Sequence, residues 1–252
     1  MDKAVEKDNN KALWNRKLEL KKELFKIVAD QTGKIFDPNV LTVVWARRYA
    51  GYKRADLITK DWGRFERMMK NTDQPIQVIW GGKPYPMDHQ AIGTFNQLIN
   101  ISHQYPNVAV VTGYELALSK ALKQGSDVWL NNPRVPREAS GTSGMTAAMN
   151  GCVNLSTMDG WIPEFAKHGH NCFVVPEADR SQPQEMVDEY DRINLMTVLE
   201  EEILPLYYDH HSKWLDIVKN GIKEVVPFFD SNRMADEYYK KLYAAAVKET
   251  AK

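Results

Sequence analysis

Short apolar segments alternate with helix-forming segments along the middle of this chain, and this rhythm limits the possible folds more than any other feature. The segments predicted to be buried strands are residues 40–45, 76–80, 108–111, 127–130, 153–156 and 172–175. Helices are predicted between them at residues 55–70, 88–103, 114–123 and 142–150. Strands that alternate with helices favour a parallel sheet that is covered by helices on both faces. We therefore predict an α/β fold with a doubly wound, mostly parallel, Rossmann-like sheet.

The two ends of the chain differ from this middle part. Residues 1–10 are polar and are predicted to be flexible, and an apolar stripe at helical spacing then predicts a first helix. The chain from about residue 184 onwards is predicted to be a helical tail that is interrupted at Pro205 and Pro227. Because no internal repeat or low-complexity linker divides the chain, residues 11–252 are predicted to form a single domain.

The charge balance and the cysteine content exclude several classes of protein. Lysine plus arginine and aspartate plus glutamate each number 33, which argues against a general role in binding nucleic acid or membrane surfaces. No apolar run reaches the roughly 18 residues that span a bilayer, and the N-terminus lacks the apolar core of a secretory signal. Cys152 and Cys172 form no disulfide framework, and the histidines have no metal-ligand spacing. We expect a cytoplasmic protein with reduced thiols and no metal site.

A cluster of cations directly follows the first predicted strand. Arg47, Arg48, Lys53 and Arg54 fall within eight residues. Arginine offers a planar fork of donors to phosphate and lysine offers a point charge, so the cluster predicts an anion site. A solvated basic turn is the alternative, and charge alone leaves it equally open. Ligands of open α/β sheets bind at the carboxyl ends of the strands, which is where this segment lies.

Two further loops follow predicted strands. Gly81-Gly82-Lys83 ends the second strand, and either an ordinary turn or a contribution of Lys83 to a substrate site would explain it. Residues 138–146 read Glu-Ala-Ser-Gly-Thr-Ser-Gly-Met-Thr and precede a predicted helix. Glycines let backbone N–H groups approach a ligand closely, a helix N-terminus favours an anion, and Glu138 adds a carboxylate. The alternative is a Gly/Ser-rich loop with Glu138 exposed.

These loops together resemble the active-site loops of the α-glucan phosphorylases that act on glycogen, starch or maltodextrin. That family carries an R-x-x-x-Y-K-R segment, matched here by Arg48 and by Tyr52-Lys53-Arg54, then a G-G-K turn and an E-A-S-G-T loop. Thr157-Met158-Asp159-Gly160 matches the T-M-D-G of the family, and the following Trp161 is similar to the shorter bacterial enzymes. The resemblance extends from about Trp14 to the C-terminus, but it corresponds to only the second half of such an enzyme.

The resemblance implies the C-terminal half of a GT-B glycosyltransferase, in which two Rossmann-like domains enclose the active site. It implies retaining transfer of glucosyl units between α-1,4-glucan and phosphate, in glycogen or starch metabolism. The partners would be phosphate or a sugar phosphate, α-glucan and an N-terminal GT-B domain, and without that domain the chain is expected to be inactive. Two alternatives stay open. The first alternative is a nucleotide-sugar-dependent glucan glycosyltransferase domain, and the second is a non-catalytic module that binds sugar phosphate or glucan.

The same resemblance assigns roles to individual residues. Arg48 and Lys53 become the predicted catalytic residues, which hold the phosphate. The predicted substrate-binding residues are Glu138, Ser140, Gly141 and Lys83.

The pyridoxal phosphate site of the family is altered in this chain. The family holds that cofactor as a Schiff base on the lysine that ends an E-A-S-G-T-x-x-M-K segment, and Thr146 stands at this position. Glu115 stands where the family has an arginine that binds the cofactor phosphate, and its charge would repel that phosphate. We therefore expect no covalently bound pyridoxal phosphate, with non-covalent binding as the alternative. The residues that the resemblance assigns to the cofactor are Arg47, Tyr114, Thr142 and Thr146.

Overall fold

The computed structural model describes residues 1–113 and 115–244. Its strands are β1 (Leu41–Ala46), β2 (Ile76–Gly81), β3 (Val108–Val111), β4 (Val128–Asn131), β5 (Val153–Ser156) and β6 (Phe173–Val174). They form one sheet in the order β3-β2-β1-β4-β5-β6, and every neighbouring pair is parallel. The predicted α/β fold with a doubly wound parallel sheet is confirmed.

The α-helices of the described residues cover both faces of this sheet. They are α1 (Asp2–Glu6), α2 (Asn10–Thr32), α3 (Trp62–Met69), α4 (His89–Gln104), α5 (Leu116–Gly125), α6 (Thr142–Met149), α7 (Ile162–Phe165), α8 (Gln184–Thr197), α9 (Leu204–Tyr208), α10 (His211–Phe229) and α11 (Ser231–Tyr238). Short 3-10 turns occupy Gly51–Lys53 and Leu57–Thr59, and π-helical segments occupy Val198–Ile203 and Tyr239–Tyr243. No helix in the described ranges is both long and apolar enough to cross a bilayer.

Strand β1 shows why the sequence pattern predicts the sheet well. Successive side chains of a strand point to opposite faces, and helices cover both faces here. Val43 and Trp45 pack into one hydrophobic core, while Val44 and Ala46 pack into the core on the other face. All six residues of β1 are therefore buried, and the strand reads as a continuous apolar run.

The N-terminal segment contains the short helix α1. Val5 of this helix is buried, and Asp8 pairs with Lys219 of α10 at 2.6 Å. Asn9 then caps α2, since its side chain accepts a hydrogen bond from the backbone N–H of Ala12 at 2.9 Å. The flexibility of residues 1–10 and the domain boundary at residue 11 stay predictions.

The predicted helix over residues 55–70 begins seven residues too early. Its helical part, α3, starts at Trp62, after the 3-10 turn at Leu57–Thr59. Asp61 determines this start, because its side chain accepts a hydrogen bond from the N–H of Arg64 at 3.0 Å and thereby caps the first turn.

The helical tail is confirmed for the described residues, but its predicted interruptions are wrong. The π-helical segment Val198–Ile203 joins α8 to α9, so the helical path passes through Pro205 without a break. Pro227 lies within the last turn of α10. The breaks fall instead near Asp209 and at Asp230, which caps α11 through a hydrogen bond from the N–H of Asn232.

Candidate functional site

The strand order places a crevice between β1 and β4. Strands β2 and β3 extend from β1 in one direction, and β5 and β6 extend from β4 in the other. The loops that leave the carboxyl ends of β1 and β4 therefore diverge at this point, which is the usual ligand position of doubly wound sheets. The loop after β1 carries the predicted anion-binding residues, and the loop after β4 carries Glu138.

Lys53 and Glu138 meet across this crevice. The Nζ atom of Lys53 donates to both carboxylate oxygens of Glu138, at 2.8 and 3.1 Å. The side chains are only 11% and 10% exposed, so the charges are largely removed from water. Lys53 ends the 3-10 turn Gly51–Lys53, and its Nζ lies 5.0 Å from the ring centre of Tyr52. Two residues that the sequence assigns to phosphate and to sugar therefore form one ion pair.

Asp159 fixes the backbone of Glu138. Its Oδ2 atom accepts a hydrogen bond from the Glu138 N–H at 2.8 Å, and its Oδ1 atom accepts one from the Gly160 N–H at 2.9 Å. Asp159 is buried. Sequence reasoning gave this carboxylate no role, although the T-M-D-G match directly after β5 was the signal that could have identified it.

The backbone of Ser140 and Gly141 packs against the segment that follows Asp159. The carbonyl oxygen of Ser140 accepts a hydrogen bond from the Trp161 N–H at 2.8 Å. A Cβ atom on Gly160 would lie 2.3 Å from that same oxygen, so the contact requires glycine. Gly141 has a φ of 87° at the start of α6, and a Cβ atom there would lie 3.5 Å from Cγ of Glu138. Glu138, Ser140 and Gly141 therefore lie together in one turn against this segment, and their assignment to substrate stays a prediction.

The turn after β2 is joined to the loop after β1. The N–H of Arg47 donates to the carbonyl of Gly81 at 3.0 Å, and the N–H of Tyr49 donates to the carbonyl of Lys83 at 3.3 Å. Gly82 has a φ of 129°, and any Cβ atom there would lie 2.2 Å from the carbonyl oxygen of Arg47. This close approach explains the glycine at position 82. The Lys83 side chain is exposed, whereas Arg47 is buried with its guanidinium 5.7 Å from the ring centre of Trp45.

The remaining cations of the β1 loop behave differently from one another. Arg48 is exposed and forms no ion pair with any residue that the structure describes. Arg54 is buried, and its guanidinium pairs with Asp188 at 2.9 Å and with Asp191 at 2.8 Å, both on α8. It also donates to the carbonyl oxygen of Asn132 at 2.9 Å. The interpretation of Arg54 as part of an anion-binding cluster is therefore wrong, because this side chain ties the two loops to α8.

The pKa values of the two carboxylates that pair with Arg54 are shifted in opposite directions. Burial opposes ionisation of Asp188, but hydrogen bonds and charge from Arg134 and Arg54 outweigh it, so the pKa of Asp188 lies below its ordinary value. Burial dominates at Asp191 and raises its pKa in spite of Arg54. Arg134 pairs with Asp188 at 2.5 Å. Arg54, Arg134, Asp188 and Asp191 thus form one network of ion pairs.

Thr146 carries a hydroxyl at the position where covalently bound pyridoxal phosphate would need an amine. Thr142 and Thr146 lie one turn apart on α6, and the hydroxyl of Thr146 donates to the Thr142 carbonyl at 2.9 Å. A hydroxyl cannot form the imine that a lysine would form. Glu115 is exposed at the residue that precedes α5. The assignment to Tyr114 lies outside the described residues.

The fold defines a class of protein, a Rossmann-like domain whose charged loops meet at its topological switch point. The chain belongs to the carbohydrate phosphorylase family, whose sequence model matches residues 1–201.

Named relatives agree with this membership. An uncharacterized protein of Methanocaldococcus jannaschii is 45% identical over 95% of this chain, which corresponds to 44% of that protein. The maltodextrin phosphorylase of Thermococcus litoralis is 34% identical over 97% of the chain and 31% of the enzyme. The glycogen phosphorylase of Aquifex aeolicus is 37% identical over 86% of the chain and 32% of the enzyme. The chain thus spans less than half the length of these curated relatives.

Proposed function

We propose that this chain is the C-terminal, phosphate-binding half of an α-glucan phosphorylase-like enzyme, which transfers glucosyl units between α-1,4-glucan and phosphate. The observation that carries the proposal is the contact between Lys53 and Glu138. The family segments that contain these residues lie on different loops, and they converge at the crevice where ligands of doubly wound sheets bind. The names of the relatives from Thermococcus litoralis and Aquifex aeolicus point to the same substrate class.

In this proposal each residue has a defined task. Lys53 and the exposed Arg48 bind the phosphate, since a lysine and an arginine form strong charge-assisted hydrogen bonds with its oxygens. Glu138 accepts hydrogen bonds from sugar hydroxyls, and the turn at Ser140 and Gly141 supplies backbone groups beside it. Lys83 lines the opening of the site. Asp159 positions Glu138 through the backbone.

The proposal includes an N-terminal domain that forms the opposite wall of the crevice. Orientation of the reactants supplies roughly 7–11 kcal/mol of a barrier in well-organised sites, and one wall cannot supply it. We therefore expect the purified 252-residue chain to release no glucose 1-phosphate from maltodextrin and phosphate. Robust release by this chain would contradict the two-wall proposal.

A ligand panel tests the substrate class. Thermal unfolding is measured with inorganic phosphate, glucose 1-phosphate, UDP-glucose, ADP-glucose and maltotriose, because a ligand that binds the folded state raises its stability. Glucose 1-phosphate is expected to stabilise the chain, and Lys53→Ala is expected to remove the effect. Stronger stabilisation by a nucleotide sugar would instead support the glycosyltransferase alternative.

We further propose that the chain holds no covalent pyridoxal phosphate, on the basis of the Thr146 hydroxyl. Borohydride reduction of the protein with added pyridoxal phosphate should then leave no cofactor attached at α6 in peptide mass spectrometry. Thr146→Lys provides the matched comparison, since it restores an amine at the same position. A reduced adduct on α6 of the unaltered chain would overturn this proposal.

A further inference from the structure

We propose that a cavity between α4 and α8 is a second saccharide site, which binds a short stretch of α-glucan apart from the Lys53–Glu138 pair. The cavity has a volume of about 410 Å³, which is within the usual range of ligand sites. Neither Lys53 nor Glu138 lines it. The site goes beyond the proposed function, and only the choice of α-glucan among saccharides rests on that function.

The charged side chains around the cavity are already paired. Each cation in the lining forms an ion pair with a carboxylate: Lys60 with Asp56, Arg192 with Asp61, and both Arg54 and Arg134 with Asp188. An anionic ligand would have to displace one of these carboxylates and leave it without its cation, which is unfavourable in a partly buried place. The cavity therefore favours a neutral ligand.

The hydrogen-bonding groups that remain free on the walls suit sugar hydroxyls. Gln90, Thr94 and Gln97 line the cavity from one face of α4, since they follow each other at helical spacing. Glu185 lines it from the first turn of α8. These four side chains have no hydrogen-bond or ion-pair partner in the part of the chain that the structure describes. An amide donates and accepts and a carboxylate accepts, which matches hydroxyls that do both.

Buried apolar residues form the floor of the cavity. Ala55, Leu57 and Ala91 line it and are buried. A sugar ring presents C–H groups on its faces and hydroxyls around its edge, so an apolar floor between polar walls matches it. Gln90 and Gln97 lie about 10 Å apart along α4, given the helical rise per residue. This length suits a short oligosaccharide better than a single sugar.

One loop separates the cavity from the crevice. Ala50 and Gly51 line the cavity, while Lys53 at the end of the same 3-10 turn contacts Glu138. A glucan chain that is bound in the cavity would therefore stay close to the crevice, and its effective concentration there would rise without any new contact to the Lys53–Glu138 pair. Such a site would raise the affinity for long glucans and leave that for glucose 1-phosphate unchanged.

The test follows the side-chain amide signals of Gln90 and Gln97 by ¹⁵N nuclear magnetic resonance, during titration with maltotriose, inorganic phosphate or glucose 1-phosphate. Maltotriose should shift both signals in the unaltered chain and in Lys53→Ala, whereas the two phosphate compounds should shift neither. From the Gln90 signal, Gln97→Ala should bind maltotriose about fivefold more weakly, the equivalent of one neutral hydrogen bond. Asn96→Ala is the matched control, because Asn96 is an exposed amide of α4 that does not line the cavity.

Glu185→Ala tests the opposite wall. It should weaken maltotriose binding by about tenfold, because a carboxylate forms charge-assisted hydrogen bonds. Affinities in Gln97→Ala and Glu185→Ala equal to that in Asn96→Ala, or no shift of the Gln90 and Gln97 signals with maltotriose, would overturn the second site. Shifts of these signals with inorganic phosphate at the same concentration would overturn its preference for neutral ligands.

The same titrations separate this site from the proposed function. If glucose 1-phosphate binding did not depend on Lys53 while maltotriose still shifted the Gln97 signal, the proposed function would fail and the saccharide site would stand. If glucose 1-phosphate binding depended on Lys53 while maltotriose left the Gln97 signal unchanged, the saccharide site alone would fail.

Discussion

Two buried lysine–carboxylate pairs lie at opposite ends of β1 and β4, and they serve different purposes. Lys21 and Asp127 pair at the amino ends, with side chains that are 0% and 1% exposed. Lys21 also donates to the carbonyl of Val40 at 2.8 Å, and Asp127 accepts from the N–H of Thr42 at 2.9 Å. Burial lowers the pKa of Lys21, although the charge of Asp127 opposes the shift.

Within the described residues, the side chains of the pair at the carboxyl ends have no such additional hydrogen-bond partners. Lys53 and Glu138 depend on each other for their hydrogen bonds within the described residues, and both remain slightly open to solvent. A pair whose partners are also bonded to the backbone holds elements together. A pair whose partners are bonded only to each other can exchange that contact for a ligand. The difference in hydrogen bonding, more than the difference in burial, separates the structural pair from the proposed binding pair.

Breaking the structural pair should have the largest effect on the protein. Lys21→Met removes one partner and leaves Asp127 unpaired in the core, which should lower the free energy of unfolding by about 3–5 kcal/mol. Chemical denaturation measures this change. Lys22→Met is the matched control, because Lys22 is exposed on the same helix. If Lys21→Met lowered the free energy of unfolding no more than Lys22→Met, the pair of Lys21 and Asp127 would not have the structural role that we assign to it.

Breaking the binding pair should affect ligands more than folding. Lys53→Ala removes the cation that we assign to phosphate, so glucose 1-phosphate should bind about 1.5–3 kcal/mol more weakly. The loss of unfolding free energy should be smaller than for Lys21→Met. Calorimetry and denaturation on the same samples measure both quantities, with Lys120→Ala, an exposed lysine of α5, as the control. Unchanged affinity would remove Lys53 from the site.

The Arg54 network gives a third, smaller effect that depends on pH. The pKa of Asp188 lies below its ordinary value in the folded chain, so its contribution to stability is complete above that value and is lost as the pH falls through the folded pKa. The stability difference between the unaltered chain and Asp188→Asn should therefore shrink below about pH 4. Denaturation at a series of pH values checks this. A difference that grows on acidification would contradict the assigned direction.

The sequence predicted the sheet better than the helices, for a physical reason. Central parallel strands are apolar on both faces, so segments such as β1 and β2 stand out as continuous runs. Helix ends depend on single capping contacts, such as the hydrogen bond that Asp61 accepts from the N–H of Arg64. The spacing of apolar residues along the sequence does not predict such a contact. The break predicted at Pro205 is wrong for a similar reason. A proline often breaks a helix, but Pro205 follows a π-helical segment and lies in helical structure that continues from it.

The sequence was enough to select the residues of the candidate site but not to predict which of their side chains contact each other. Motif resemblance selected Lys53 and Glu138, whereas their ion pair joins positions 85 residues apart and depends on β1 lying next to β4. Arg54 carried the same motif signal as Lys53, yet its partner Asp188 lies 134 residues away on α8. One-dimensional patterns identified which side chains carry chemistry, and only the fold determined which of them face the crevice.

The wide separation of Lys53 and Glu138 also affects how the protein gains binding competence during refolding. Strands β2 to β4 and helices α3 to α5 lie between the two residues in the chain, so no local segment can form the site by itself. Contacts between distant positions carry a cost in loop closure and form slowly compared with helices. Recovery of phosphate-ester binding after dilution from denaturant therefore reports on the joining of β1 to β4, whereas circular dichroism at helical wavelengths reports on events that need only neighbouring residues.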